Sequence, residues 1–286
     1  MGFAIVADTT CDLSPEEAKT HGIEMIPLNI LLDGKEYRDG VDLTSDQFFD
    51  LMEASGNLPK TAQPSPYDFA QLYQKLADEG AEAIISLHIC APMSGTVGAA
   101  AMGAKQVDIP VEVIDSCGVT AHAGLLTLYA ALLRKDGVAF DEVVERVRRA
   151  IPRERLLLAP ATLENLLKGG RLSPLNAKAA SLLNIKPLLS LKEDGTLYSS
   201  DKARGMKGVI KAFANEIEER TARQGKQYLR FCHTRNLEDL QKLKDQLAAD
   251  GMEYVDLGTA PCGATVATHL GMGGFGFAAL AVNENR

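Results

Sequence analysis

The 286-residue chain has few cysteines, and they are scattered: Cys11, Cys90, Cys117, Cys232 and Cys262 form no C-x-x-C pair. That spacing excludes a zinc ribbon and a disulfide framework, and leaves buried free thiols as the expectation. Positive charge is also short. Lys and Arg number 30 against 38 Asp and Glu, a net charge of −8. Such a surface repels phosphate backbones, so no nucleic acid is expected as a partner. No apolar run approaches the ~20 residues that span a bilayer. The most hydrophobic tail segment, Gly271 to Val282, is short and glycine-rich. The N-terminus shows no basic-then-apolar leader and enters a strand-like run at once, so the expected location is cytoplasmic, without membrane insertion. No G-x-x-x-x-G-K-[ST] occurs, and His21, His88, His122, His233 and His269 show no ligand spacing. Neither a P-loop nor a metal centre is expected.

What is present is ordinary globular material, 46% hydrophobic and 24% charged. At roughly 150 residues per domain the length suits two domains or one large α/β unit. Phe3-Ala4-Ile5-Val6-Ala7 is a continuous apolar run, the mark of a strand buried on both faces. Ser14-Pro15-Glu16-Glu17 follows as a helix start: Ser as N-cap, Pro at the first helical position, Glu closing a capping box. The signal recurs at Ser65-Pro66-Tyr67-Asp68, at Ser173-Pro174 and, without proline, at Thr44-Ser45-Asp46-Gln47. Further strands are predicted over Ile23–Leu32, Ala83–Ile89 and Val111–Asp115. Helices are predicted over Gln47–Ala54, Tyr67–Asp78, Val97–Gln106, Ala121–Arg134 and Asp141–Ala150. This alternation argues for a parallel sheet covered on both faces.

The second half reads differently. Leu156–Ala159, Ile185–Leu191, Thr196–Ser200, Tyr228–His233, Tyr254–Leu257 and Phe277–Val282 look like strands, the second and third joined by the turn Glu193-Asp194-Gly195. Short helices are expected at Leu163–Leu167 and Ala177–Leu183, and long amphipathic ones at Lys207–Arg223 and Leu237–Asp250. The expected fold class is therefore α/β with two domains. Residues 1–154 carry a mostly parallel sheet with flanking helices, and residues 155–286 a mixed sheet with helices.

Ligands of open α/β sheets sit beyond the carboxyl ends of the strands. Ser94-Gly95-Thr96 lies there, at the start of a small-residue helix, and its hydroxyls and close-approach glycine suit an anion. The alternative is plain helix capping. A serine hydrolase would need G-x-S-x-G, whereas Pro92 and Thr96 flank Ser94. Gly271-Met272-Gly273-Gly274-Phe275-Gly276 matches G-x-G-x-x-G but follows a helix-like stretch and runs into a strand, the wrong context for a dinucleotide site. His269, just before it, is a structural histidine or a carboxylate ligand. Arg171, after Lys168-Gly169-Gly170, and Arg204, in Lys202-Ala203-Arg204-Gly205-Met206-Lys207, are solvated cations or partner-facing anion contacts.

Taken in order, several short segments resemble the DegV family of bacterial fatty-acid-binding proteins, which includes the binding subunits of fatty acid kinase. They are Asp8-Thr9-Thr10-Cys11-Asp12-Leu13, Thr61-Ala62-Gln63-Pro64-Ser65-Pro66, Ser94-Gly95-Thr96, Val113-Ile114-Asp115-Ser116, Leu163-Glu164-Asn165-Leu166 with Lys168-Gly169-Gly170-Arg171, Lys186-Pro187, and His269 before its glycine run. Thr9 stands where Ser is usual, Ala62 where Ser is common, and Met272 where the proline of a Gly-Pro-Gly turn is common. The resemblance implies two α/β domains enclosing one long-chain fatty acid, its tail in an apolar tunnel and its carboxylate near the domain junction. It implies that Thr61, Ser94 and His269 bind the carboxylate and that Gly95 and Thr96 shape the pocket. It implies no catalysis by this chain and no cofactor: a separate ATP-binding kinase subunit would phosphorylate the presented carboxylate to an acyl phosphate, with Arg171 and Arg204 as docking candidates. The competing functions are a lipid transporter or sensor without a kinase, and a small-molecule hydrolase using Ser94 with His269.

Overall fold

A computed structural model describes residues 2–177 and 184–282. The first half runs β1 (Phe3–Asp8), α1 (Pro15–Thr20), β2 (Ile23–Ile26), β3 (Asn29–Leu32), β4 (Lys35–Arg38), α2 (Ser45–Ser55), β5 (Lys60–Ala62) and α3 (Pro66–Asp78). It continues through β6 (Ala83–His88), α4 (Thr96–Ala104), β7 (Val111–Asp115), α5 (Ala121–Lys135) and α6 (Phe140–Ala150). The second half runs β8 (Arg155–Ala159), α7 (Glu164–Lys168), β9 (Ile185–Leu191), β10 (Leu197–Arg204), α8 (Gly205–Gln224) and β11 (Gln227–His233). It ends with α9 (Leu237–Ala249), β12 (Tyr254–Pro261), α10 (Ala264–Leu270) and β13 (Phe275–Ala281).

The helix starts read from sequence form as capping boxes: Ser14 with Glu17, Thr44 with Gln47 and Ser65 with Asp68 exchange backbone and side-chain hydrogen bonds. Ser173-Pro174 opens a turn, and of the helix expected at 177–183 only Ala177 lies within the described residues.

Strands β2-β1-β6-β7 make a fully parallel sheet. Side chains alternate across it, as a two-residue period requires. Val6, Ile26 and Ile84 pack under Phe69, Tyr73 and Leu76 of α3 and Ala99 and Ala100 of α4. Ile5, Ala7, Ile85 and Leu87 face α5. The second sheet, in the order β10-β9-β8-β13-β11-β12, is mixed: every neighbouring pair is antiparallel except β11 with β12. One of its faces carries Phe231, Phe275 and Phe277 against α8 and α9. The other faces α5, which is buried nearly all round, as a helix between two sheets must be. The layers are thus α3 and α4, parallel sheet, α5, mixed sheet, α8 and α9. The fold class is the expected α/β with an N-terminal parallel and a C-terminal mixed sheet, and Arg155 opens the second sheet.

One expected strand is two. Ile23–Leu32 breaks at Pro27-Leu28, and β2 stays in the parallel sheet while β3 joins a three-stranded antiparallel sheet, β4-β3-β5. Proline has no N–H for the ladder. The Leu28 N–H turns instead to Thr9 Oγ1 at 3.1 Å, and its carbonyl accepts the Asp39 N–H at 2.9 Å. This small sheet and α2 pack on α10 through Ile30, Phe48, Phe49, Ala264 and Ala267, with Met272 against the same cluster. Among the described residues no helix is long and apolar enough to cross a membrane.

Candidate functional site

The order β2-β1-β6-β7 puts a topological switch point between β1 and β6, where a crevice opens beyond the carboxyl ends of the strands. A cavity of about 330 Å³ occupies it. The parallel half contributes Thr10 after β1, Ile89, Met93, Ser94 and Gly95 after β6, and Val119 and Thr120 after β7. The small sheet adds Leu28 and Thr61 to Gln63. The second half closes the cavity with Leu158, Leu166, Arg171 and Leu197, and with Thr265, Val266, His269 and Leu270 of α10. Most of the lining is aliphatic.

The polar groups are linked by short contacts. Thr61 Oγ1 and His269 Nε2 are hydrogen-bonded at 3.1 Å. Strand pairing fixes Thr61 opposite Ile30, and α10 brings in His269 from its last turn. Burial, with the positive charge of Arg171 nearby, lowers the imidazole to about 4, so His269 is neutral at physiological pH. Its Nδ1 has no hydrogen-bond partner among the described residues and lies against Gly169, where any side chain would collide with it. Arg171 donates from Nε to the Met93 carbonyl at 3.2 Å and from Nη1 to the Gly169 carbonyl at 2.7 Å. Its guanidinium is the cation on the cavity wall. Arg204 lies elsewhere, exposed at the end of the edge strand β10 where α8 begins.

Ser94 does not cap α4. The N-cap is Gly95, which makes no side-chain cap bond, and Ser94 Oγ pairs instead with the buried Thr96 Oγ1 at 2.8 Å. Gly95 lies under the exposed Gln63 side chain, which a Cβ there would displace. Thr61, Ser94, Gly95, Arg171 and His269 all line one cavity, with Thr96 behind Ser94. A ligand that fits has an apolar body and one anionic head.

Three further contributors stand in the sequence only as members of longer motifs, with no individual role to be read there. Thr10 lines the cavity while its N–H and hydroxyl donate to Asp8. The Asp8 carboxylate also accepts from His88 Nδ1 at 3.0 Å, and His88 Nε2 meets Ser86 Oγ at 2.7 Å. Asn165 supports α10 by donating to the Thr268 carbonyl at 3.1 Å. Gly169 leaves room for the imidazole. The last two lie in Asn165-Leu166-Leu167-Lys168-Gly169, a segment that reads as a helix and its stop and belongs to the resemblance motifs without a role for either residue. No cluster of His, Cys, Asp and Glu able to hold a metal occurs among the described residues.

Residues 2–282 match the family described as "Uncharacterised protein, DegV family". A DegV domain-containing protein of Deinococcus radiodurans is 35% identical over 279 residues, 97% of this chain and 98% of that one. A solved DegV family protein from Thermus thermophilus, described for its fatty acid binding, superposes with a TM-score of 0.91 at 30% identity, covering 99% of this chain and all of that one, 100%. The Streptococcus pneumoniae Fatty Acid Kinase (Fak) B3 protein loaded with linoleic acid superposes with a TM-score of 0.83 at 26% identity, over 99% of this chain and 100% of that one.

Proposed function

The chain belongs to the DegV family, and on that premise we propose that it binds a long-chain fatty acid and presents its carboxylate to a separate ATP-dependent fatty acid kinase subunit. The acid lies at the junction of the halves 1–154 and 155–286. Its tail occupies the aliphatic part of the cavity, where each buried CH2 contributes about 0.8 kcal/mol. Its carboxylate meets Thr61 and Ser94 directly and His269 through Thr61, because a buried carboxylate is costly unless hydrogen bonds satisfy it. The observation that carries this reading is the Thr61–His269 hydrogen bond in the wall of a mostly aliphatic cavity.

The tautomer follows from the packing. A buried N–H without a partner is rarer than an under-used acceptor, so the proton sits on Nε2, and Nδ1, which has no hydrogen-bond partner among the described residues, carries the lone pair. Nε2–H then donates to Thr61 Oγ1, and the Thr61 hydroxyl is free to donate to a ligand oxygen. Such a relay is polarised by the charge at its end. Arg171 supplies positive potential beside it. In this role the chain is a carrier with no cofactor of its own, and the Fak B3 likeness supports a kinase partner over a stand-alone transporter or sensor. The hydrolase reading asks for a serine paired with a base. Here Ser94 Oγ pairs with Thr96 and His269 Nε2 with Thr61.

Native mass spectrometry of freshly purified protein, with solvent extraction of what is released, tests this. A stoichiometric fatty acid that is lost in the Thr61→Ala, Ser94→Ala double variant is the expected result. An apo mass unchanged after incubation with a panel of fatty acids overturns it.

A further inference from the structure

We propose that Asp12 and Asp39 are positioning residues for carboxylate recognition: from behind the cavity wall they fix the start of α10, and through it His269. The proposal rests on the fatty-acid reading above.

Helix α10 is seven residues long and begins at Gly263, which has no side chain to cap it. A helix this short has no stability of its own, so its orientation is set by what holds it. Two carboxylates from distant segments do so. Asp12 Oδ1 accepts the Gly263 N–H at 2.8 Å, and Asp39 accepts the Ala264 N–H on Oδ1 at 2.9 Å and the Thr265 N–H on Oδ2 at 3.0 Å. A Cβ built on Gly263 would lie 3.1 to 3.2 Å from both carboxylates, so the two flank one residue. Both side chains are buried, and neither lines the cavity.

The same carboxylates reach the rest of the wall. Asp12 Oδ2 accepts the Thr120 hydroxyl at 2.6 Å, and the Thr120 N–H donates to the Thr10 carbonyl at 2.7 Å. The Asp39 N–H donates to the Leu28 carbonyl at 2.9 Å. Thr10, Leu28, Thr120, Thr265 and Val266 all face the cavity. Buried hydrogen bonds of this kind favour one arrangement of the wall. Two carboxyls buried together are held there at a cost: burial pushes both above their ordinary value, Asp12 to about 7, with the neighbouring Asp39 charge adding to the Asp12 rise. From Ala264 to His269 the helix advances about 7.5 Å. A tilt at the clamp therefore reaches the imidazole, and the Thr61 contact is lost first.

Coupling between two sites is reciprocal. If the clamp improves recognition of the head group, the head group must tighten the clamp. The experiment uses the native chain and Asp39→Asn, with oleic acid and oleyl alcohol as probes: same tail, different head. In the native protein, oleic acid should slow amide exchange at Gly263, Ala264 and Thr265 by at least about fivefold relative to the alcohol complex, the low end of typical couplings. Asn has an oxygen at only one of the two positions that accept the Ala264 and Thr265 N–H groups and sets an NH2 donor against the other N–H, so in Asp39→Asn the preference for acid over alcohol should fall by at least about fivefold while alcohol affinity stays near native. Equal protection in the two native complexes overturns the proposal even if the variant does not fold. An unchanged acid preference in a folded variant also overturns it. A native chain that takes up neither probe overturns the fatty-acid reading itself.

Discussion

Thr61 on β5 and His269 on α10 stand 208 positions apart in the chain, yet their side chains are joined, Oγ1 to Nε2, at 3.1 Å. The bond crosses between the small antiparallel sheet and the second half of the molecule. Under the function proposed above, it leaves the Thr61 hydroxyl to donate to the bound carboxylate.

Replacing Thr61 by Val keeps the branched shape and removes the hydroxyl. Hydrogen bonds to charged groups contribute about 1.5–3 kcal/mol, so fatty-acid affinity should fall roughly ten- to a hundredfold. Thr61→Ser should stay close to native. His269→Gln, whose amide can donate to Thr61, should bind better than His269→Ala. Displacement of a fluorescent fatty acid measures all four. A Thr61→Val variant that binds like the native protein would remove the hydroxyl from the recognition scheme.

Two glycines separate crowding at the imidazole from crowding at the cavity rim. Both have ordinary negative φ, −76° at Gly169 and −75° at Gly95, so alanine is free of backbone strain at either. At Gly169 the methyl would run into His269 Nδ1 and lie 2.9 Å from the Asn165 carbonyl. The ring would have to leave Thr61. At Gly95 it would meet only the far end of Gln63, which is exposed and can swing away. Gly169→Ala is therefore expected to weaken binding by about tenfold or more, the loss of one charge-assisted hydrogen bond, and Gly95→Ala far less. Isothermal titration of both variants below their melting transitions decides it; the opposite order would mean that the imidazole pose does not matter.

The parts of this molecule that were legible in sequence are local. The apolar run of β1 and the capping boxes at Ser14, Thr44 and Ser65 concern residues three or four apart, and each formed as read. The small sheet was missed because β4, Lys35-Glu36-Tyr37-Arg38, is mostly exposed and has no alternation to betray it. Asp12, which stands in the sequence only as part of the Asp8–Leu13 motif, and Asp39 show no role there because their partners, the N–H groups of residues 263 to 265, lie more than two hundred positions away. A backbone N–H carries no side-chain signature. Thr61 and Ser94 drew attention by resemblance and by place at a strand end, whereas Asn165 and Gly169 act by supporting a helix and leaving room, which no periodicity records.

Glu154 tests how the interior holds its charge. Both carboxyl oxygens are buried without a hydrogen-bond partner among the described residues, and Oε2 lies 3.4 Å from His122 Nδ1. Burial raises the Glu154 carboxyl well above its ordinary value, with Arg220 opposing, and burial pushes His122 down to about 3. Burial thus favours the neutral form of both groups. As pH rises above the unfolded value of 4.5, the unfolded chain loses the Glu154 proton first, so stability falls by up to about 1.4 kcal/mol per pH unit until the folded carboxyl also ionises. His122 acts in the other direction, removing stability as pH falls below 6.5. Glu154→Gln abolishes the first slope and leaves the second. Urea unfolding at pH 5 and pH 8 should show the variant gaining on the native chain as pH rises; parallel profiles would mean that Glu154 is ionised in the folded state.

Arg230 lies inside β11, fully buried, and crosses to the first half of the molecule. Its Nη1 and Nη2 donate to Glu17 Oε1 and Oε2 at 2.8 and 3.2 Å, and further to the Leu257 and Asp12 carbonyls at 2.7 and 2.9 Å. It passes Gly124 of α5, where a Cβ would come within 2.8 Å of Nε. The pair is asymmetric, since the Glu17 side chain keeps 30% of its exposure and Arg230 none. Breaking a buried pair costs about 3–5 kcal/mol because the remaining charge is stranded. Arg230→Met strands a carboxylate that water can reach, so its loss should lie at or below the low end of that range. Glu17→Gln keeps the capping box with Ser14 but strands the guanidinium in the interior, and should be the more damaging change. The double variant should then be more stable than Glu17→Gln alone, because removing Arg230 relieves the charge that the first substitution left behind. A chemical-denaturation cycle over the four proteins measures this directly, and additive losses would show that the two residues stabilise the junction independently.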